Sequence, residues 1–199
     1  MVSNSIRACV LAAVLLPGCA ALPGGGPAPL DTYDLTLRTA EVTGPSRSRT
    51  QVLVAEPSAL KILDGENLVV RPSAGSIEFL SGAQWADRLP RIVQSRLVEA
   101  LQASGRLGGV GKPGEGLAID YQVVTEIRAF EIRLDGGTRA EVELYVKVLN
   151  DRNGVVRAAR SFRATASVSG SGNAAYVAGL DRAFAQAAGE IVNWTLGTF

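Results

Sequence analysis

Histidine is absent from this chain of 199 residues. The side chain most used for proton transfer near neutral pH, and the commonest metal ligand, is therefore missing. A Ser-His-Asp or Cys-His centre is excluded within the chain. Cysteine is almost absent too: only Cys9 and Cys19 occur, too few for a cysteine-rich zinc site. Neither sign of charge dominates, with Lys+Arg 20 against Asp+Glu 19, so the electrostatics make no case for nucleic acid as a partner. No apolar run reaches the roughly 20 residues that a helix needs to span a bilayer. Any enzyme built on this chain would have to run on carboxylates, Lys, Arg or Tyr. Neither a cofactor nor a bound metal is expected.

What is present is a globular composition, 47% hydrophobic and 20% charged, in a length that suits one domain with a real core. The first twenty residues stand apart from it. Arg7 is followed by the apolar run Ala8-Cys9-Val10-Leu11-Ala12-Ala13-Val14-Leu15-Leu16, of signal-peptide length. An ordinary secretory signal is one reading. The sharper one is that Leu16-Pro17-Gly18-Cys19 resembles the bacterial lipoprotein pattern of an aliphatic, a variable and a small residue before Cys. In that pattern the thiol takes a diacylglycerol group, the signal is cut before Cys19, and the new amine can receive a further acyl chain such as palmitate. Each buried CH₂ contributes roughly 0.8 kcal/mol, so two or three chains hold far more firmly than one. Cys9 leaves with the signal, so the mature chain holds a single, modified cysteine and no internal disulfide. Ala20, rather than Asp, follows the cysteine, which in the lipoprotein sorting rule favours the outer membrane.

Ala20 to Leu30 mixes Gly and Pro without periodicity and reads as a tether. Beyond it, Tyr33–Leu37 and Gln51–Val54 read as strands, with Ala40–Arg49 as a loop between them. Asn67–Arg71 and Ser76–Leu80 read as a strand pair around Pro72–Gly75. Trp85, Leu89, Ile92, Val93, Leu97, Ala100 and Leu101 then follow helical spacing, with Pro90 tolerable only in a first turn and Ser104-Gly105 at the end. Leu117–Leu134 is a long strand whose apolar parity switches from Val123 and Ile127 to Phe130 and Ile132, predicting a bulge near Ala129. Ala140–Val148 alternates cleanly, Val156–Val168 pairs with it, and Asn150–Gly154 is the hairpin turn. Asn173 is a plausible cap for a last helix carrying Val177, Leu180, Phe184, Ala187, Ile191 and Trp194 on one stripe. The expected fold is α+β, in two layers, with a mostly antiparallel sheet and two amphipathic helices packed on one face. The expected organisation is a lipoprotein signal peptide over 1–18, an acylated Cys19 and Gly/Pro tether over 19–30, and one domain over 31–199.

Three features invite chemistry. Gly109-Val110-Gly111-Lys112-Pro113-Gly114 matches G-x-G-x-x-G by letter, but a helix precedes it, a strand follows, and Pro113 removes an amide. It reads as a connecting loop, not a dinucleotide site. Glu141 and Glu143 share a strand face, with Asp120 and Glu126 on a neighbour; catalytic use as a carboxylate hydrolase requires them to line a cleft, whereas alternation with Lys147 marks a solvated face. Trp85 and Trp194 lie on the helix stripes as core residues, with lipid contact the alternative.

One ordered series carries a resemblance. Tyr33-Asp34-Leu35, Val54-Ala55-Glu56-Pro57, Ser81-Gly82-Ala83-Gln84-Trp85-Ala86-Asp87-Arg88-Leu89-Pro90 with Val93-Gln94-Ser95-Arg96-Leu97, Asp120-Tyr121-Gln122 and Ala183-Phe184 to Trp194 together resemble the auxiliary lipoprotein family of ABC-type transporters. The resemblance covers about Tyr33 to Trp194. It implies an outer-membrane-anchored, periplasm-facing accessory lipoprotein, working with an ABC permease and ATPase and docking on an MCE-type (mammalian cell entry) substrate-binding protein in intermembrane lipid transport. Its implied partners are that complex and, through the lipid anchor, a membrane; phospholipid and further copies of the chain are also candidates. The family brings no catalytic motif, and Cys19, as the lipid-attachment residue, is the one functional position it transfers. The competing reading is an envelope assembly or adaptor lipoprotein unconnected with lipid movement.

Overall fold

A computed structural model describes residues 29–36 and 42–199. Cys19, the signal segment and most of the tether lie outside the described residues. The elements run β1 (Asp31–Tyr33), β2 (Arg47–Val54), β3 (Ser58–Ala59), β4 (Asn67–Ser73), β5 (Ser76–Trp85), α1 (Leu89–Ala103), β6 (Leu107–Gly111), β7 (Tyr121–Arg133), β8 (Arg139–Asn150), β9 (Val156–Ser167) and α2 (Asn173–Thr198). The class is α+β. Among the described residues the strands form one nine-stranded sheet, and that sheet is mixed.

The mixture has its origin in β7. One edge of this strand pairs antiparallel with β8 along nearly its whole length. The other edge is shared in succession by β2, β3 and β4, all running parallel to it, through Val52↔Tyr121, Ser58↔Glu126 and Val69↔Glu131. The segment 47–73 thus follows β7 in the same direction, bending between short strands. Parallel pairs β1–β5 and β2–β6 extend the sheet, while β4–β5 and β8–β9 are antiparallel.

The parity switch in β7 is a bulge: Ile127 faces Leu144 and Ala129 faces Glu143, leaving Arg128 unpaired. Val123 and Ile127 before it, and Phe130 and Ile132 after it, are all buried. The hairpin turn also falls where the sequence puts it, closed by the Gly154 amide donating to the Asn150 carbonyl at 2.8 Å. Gly154 has φ 70°, a conformation that costs a glycine little.

On β8, Ala140, Val142, Leu144, Val146 and Val148 are buried, and α2 packs against β8 and β9. The same helix buries Leu180, Phe184, Ala187 and Ile191, and α1 buries Leu89, Val93, Leu97 and Leu101. Phe130 links the layers, with its ring centroid 5.8 Å from Trp85 and 6.0 Å from Phe184.

Five local expectations change. The first strand is Asp31–Tyr33 rather than Tyr33–Leu37; Asp34–Thr36 form no strand, and Leu37 lies outside the described residues. Trp85 ends β5 instead of lying on a helical stripe, because α1 begins only at Leu89, which puts Pro90 in the first turn where its missing amide costs nothing. Trp85 is 1% exposed, which places it in the core and rules out a lipid contact. Asn173 is the first residue of α2 rather than its cap; Gly172 precedes the helix, and the Asn173 side chain donates through Nδ2 to the Ser81 carbonyl at 3.0 Å. The stretch Arg47–Arg49, read as loop, opens β2. Gly109–Gly111 lies in strand β6, not in a connecting loop. Two of the glycines of β6 answer to close neighbours: a Cβ on Gly108 would stand 2.6 Å from the Ser48 carbonyl oxygen of β2, and one on Gly111 would meet the Leu117 side chain at 2.6 Å.

Candidate functional site

Two polar assemblies organise the described surface. The first gathers around the start of α1. Buried Gln94 donates its side-chain amide to the Val54 carbonyl at 2.9 Å, tying α1 to the end of β2. Arg88 bonds Asp64 and, at 3.0 Å, Glu56. Arg96 reaches Asp34 at 2.6 Å and Glu99 at 2.7 Å. Burial works against the charge of Arg96, but the hydrogen bonds and charges of Glu99 and Asp34 outweigh it and raise its pKa. A shallow groove of about 250 Å³ beside this clasp is lined by Asp34, Asp87, Arg91, Ile92, Ser95 and Glu99, among others. Three segments of the series on which the family resemblance rests, those holding Asp34, Val54–Glu56 and Arg88–Arg96, are therefore brought together in space, and their polar members bond one another.

The second assembly lies on the outer side of β4, β7, β8 and β9. Arg71 grips Glu131 with a two-pronged contact, 2.7 and 3.0 Å. Arg133 bonds Asp135 at 2.6 Å and approaches Glu131 and Glu141. Arg163 bonds Glu143 and lies 3.8 Å from Glu141. Arg128, freed by the bulge, bonds Glu126 and stacks 4.1 Å over the Tyr145 ring. The hydrogen bonds that Arg133 donates to Asp135 raise the Arg133 pKa, and the same contact lowers the Asp135 carboxyl to about 2, with help from Arg139. A depression of about 350 Å³ opens among these side chains.

Of the carboxylates singled out in the sequence, Glu141, Glu143 and Glu126 meet on this face. Asp120 does not join them. It stands before β7 at the far end of the sheet, accepting from the Gln51 amide at 3.0 Å and lying 3.5 Å from Arg152. Glu141 and Glu143 are largely covered, 12% and 15% exposed, and each is met by guanidinium groups. Sequence alternation found the acidic face but not its arginines, because Arg71, Arg128, Arg133 and Arg163 come from three strands whose register no local pattern records. Trp194 is half-buried, its ring 5.4 Å from Phe162 at 68°. Among the described residues no group of three or more His, Cys, Asp or Glu is placed to hold a metal, and no helix is long and apolar enough to cross a membrane.

Comparison with known proteins agrees with these features. Protein XCC0632 from Xanthomonas campestris is 30% identical, with a TM-score of 0.77 over 84% of this chain and 95% of its own. A second solved protein of uncharacterised function shares the fold at 19% identity, with a TM-score of 0.68 over 84% of this chain and 99% of its own. An uncharacterised protein of Bradyrhizobium diazoefficiens, bll6063, is 34% identical over 188 residues, which cover 92% of this chain and 49% of the relative, so the chain spans about half that protein's length. The family model for the ABC-type transport auxiliary lipoprotein component matches residues 33–192. This span takes in both polar assemblies and almost all of the described fold, and the chain belongs to the ABC-type transport auxiliary lipoprotein family.

Proposed function

We propose that this protein is a non-catalytic accessory lipoprotein, anchored in the outer membrane through acylated Cys19 and facing the periplasm. It docks on the MCE-type substrate-binding protein of an ABC transporter and supports lipid movement between the two membranes. The family match over residues 33–192 carries this reading. The geometry supports it: the covered carboxylates on the sheet are engaged by arginines, and the polar residues of the clasp bond one another, so both assemblies serve shape and surface. In this reading both helices cover one face of the sheet and leave the Arg/Glu face outward. A tethered domain raises the local concentration of its partner at a membrane without performing chemistry itself.

The test is recovery of partners by the tagged full-length chain from envelopes dissolved in gentle detergent. The MCE-type protein, permease and ATPase are the expected companions. Recovery of the lipoprotein alone, or with assembly factors in place of a transporter, would overturn the proposal.

A further inference from the structure

Large apolar side chains are exposed at only a few places in the described residues, and several of them share one end of the sheet. Phe79 is 50% exposed and Ile77 42%, both on β5 beside the β4–β5 turn closed by Ser73↔Ser76. Leu134, 39% exposed, begins the β7–β8 turn, and its amide donates to the Arg71 carbonyl at 3.0 Å. That bond, and the Arg71↔Arg133 register, put the two turns side by side. Leu30 is 48% exposed and immediately precedes β1.

The direction of β1 is the decisive observation. It pairs parallel with β5, Asp31 beside Ala83 and Tyr33 beside Trp85. Stepping back from Asp31 toward the N-terminus therefore leads the chain the same way as stepping back from Ala83 toward Ser76. That way lies the end carrying Ile77, Phe79 and Leu134. Cys19 stands twelve positions before Asp31, a span of about 40 Å at most when extended. Arg71, Arg133 and Arg139 border the same end, but Glu131 and Asp135 already engage them, so the apolar side chains are what suit this end to an interface. Val155 and Val156, also exposed, lie at the opposite end, where β8 turns into β9, and Leu60, the most exposed at 73%, follows β3 midway along β7.

We infer that this end of the sheet rests on the bilayer surface into which the lipid of Cys19 inserts, with Leu30, Ile77, Phe79 and Leu134 in the interface. The inference rests on the lipoprotein reading of Cys19 and adds an orientation to it: the sheet stands end-on, and the β8–β9 turn points away from the membrane.

The test uses the full-length acylated protein reconstituted in vesicles of phosphatidylethanolamine and phosphatidylglycerol. An environment-sensitive fluorophore is attached at Phe79→Cys or, in a separate sample, at Val155→Cys. Nitroxide-bearing lipids are expected to quench the label at 79 severalfold more than the label at 155, with blue-shifted emission at 79 alone. Equal, weak quenching at both sites in protein that still floats with the vesicles overturns the orientation and leaves the anchor intact. Protein that fails to float overturns the anchor itself. A second chain carrying Ile77→Ser and Phe79→Ser, labelled at Leu134→Cys, should keep its melting curve and its flotation while losing the quenching. Quenching unchanged in that chain counts against an apolar contact.

Discussion

The clasp at the start of α1 and the Arg/Glu face of the sheet are both built from ion pairs and hydrogen bonds, yet they differ in what they join. The clasp connects elements distant in sequence: Gln94 to Val54, Arg88 to Glu56 and Asp64, Arg96 to Asp34. Its central bond is buried. The sheet face joins neighbouring strands whose pairing the backbone ladder already fixes; Glu131 at its centre is buried, while its outer members, such as Arg163 at 63% exposed, stand in water. Identical chemistry thus holds the fold in one place and covers its surface in the other. The residues that carry the family resemblance belong mainly to the clasp, so the resemblance reports architecture more than a reactive site.

Substitutions separate the two regions by size of effect. Trp85→Ala, beside the clasp and packed on Phe130, should cost about 3–5 kcal/mol in denaturant unfolding; a loss below 1 kcal/mol would dissolve the claim that this junction sets stability. Gln94→Ala strips the buried Val54 carbonyl of its donor and should cost about 1–3 kcal/mol by the same measurement. Arg163→Ala on the sheet face should stay within about 0–1 kcal/mol. A loss there equal to that of Gln94→Ala would erase the contrast. The smallest effect belongs to Asp135. Its folded-state pKa, held down to about 2 by Arg133, lies below the ordinary carboxylate value, so its contribution is complete above about pH 4 and is lost as pH falls toward 2. Asp135→Asn should lower Tm slightly near neutrality, leave it unchanged near pH 2, and so flatten the acid side of a Tm-versus-pH curve across that window.

Much of this architecture was legible where the information is local. The parity of Val123, Ile127, Phe130 and Ile132 reveals the bulge at Arg128, Pro90 marks a helix start, and Asn150–Gly154 reads as a hairpin. What pattern alone missed is non-local. Nothing in the period of β2, β3 or β4 says that all three share one edge of β7, a pairing made across about seventy residues of chain. Nor does Leu107–Gly111 alternate as a strand should, because Gly108 answers to the closeness of Ser48 and Gly111 to that of Leu117. The acidic face was visible in Glu141 and Glu143, and its cations were not, since register brings them from other strands. For Cys19 the sequence is the whole case, and its position lies outside the described residues.

That residue is where the account is most exposed. The proposed function hangs on acylation at Cys19, and mass spectrometry of the N-terminal peptide of the membrane-extracted protein tests it directly. The expected peptide begins at Cys19 and carries diacylglycerol on its sulfur, with an acyl chain on its amine where the host completes the modification. An unmodified Cys19, or a peptide that continues through Gly18 and Pro17, would contradict the account.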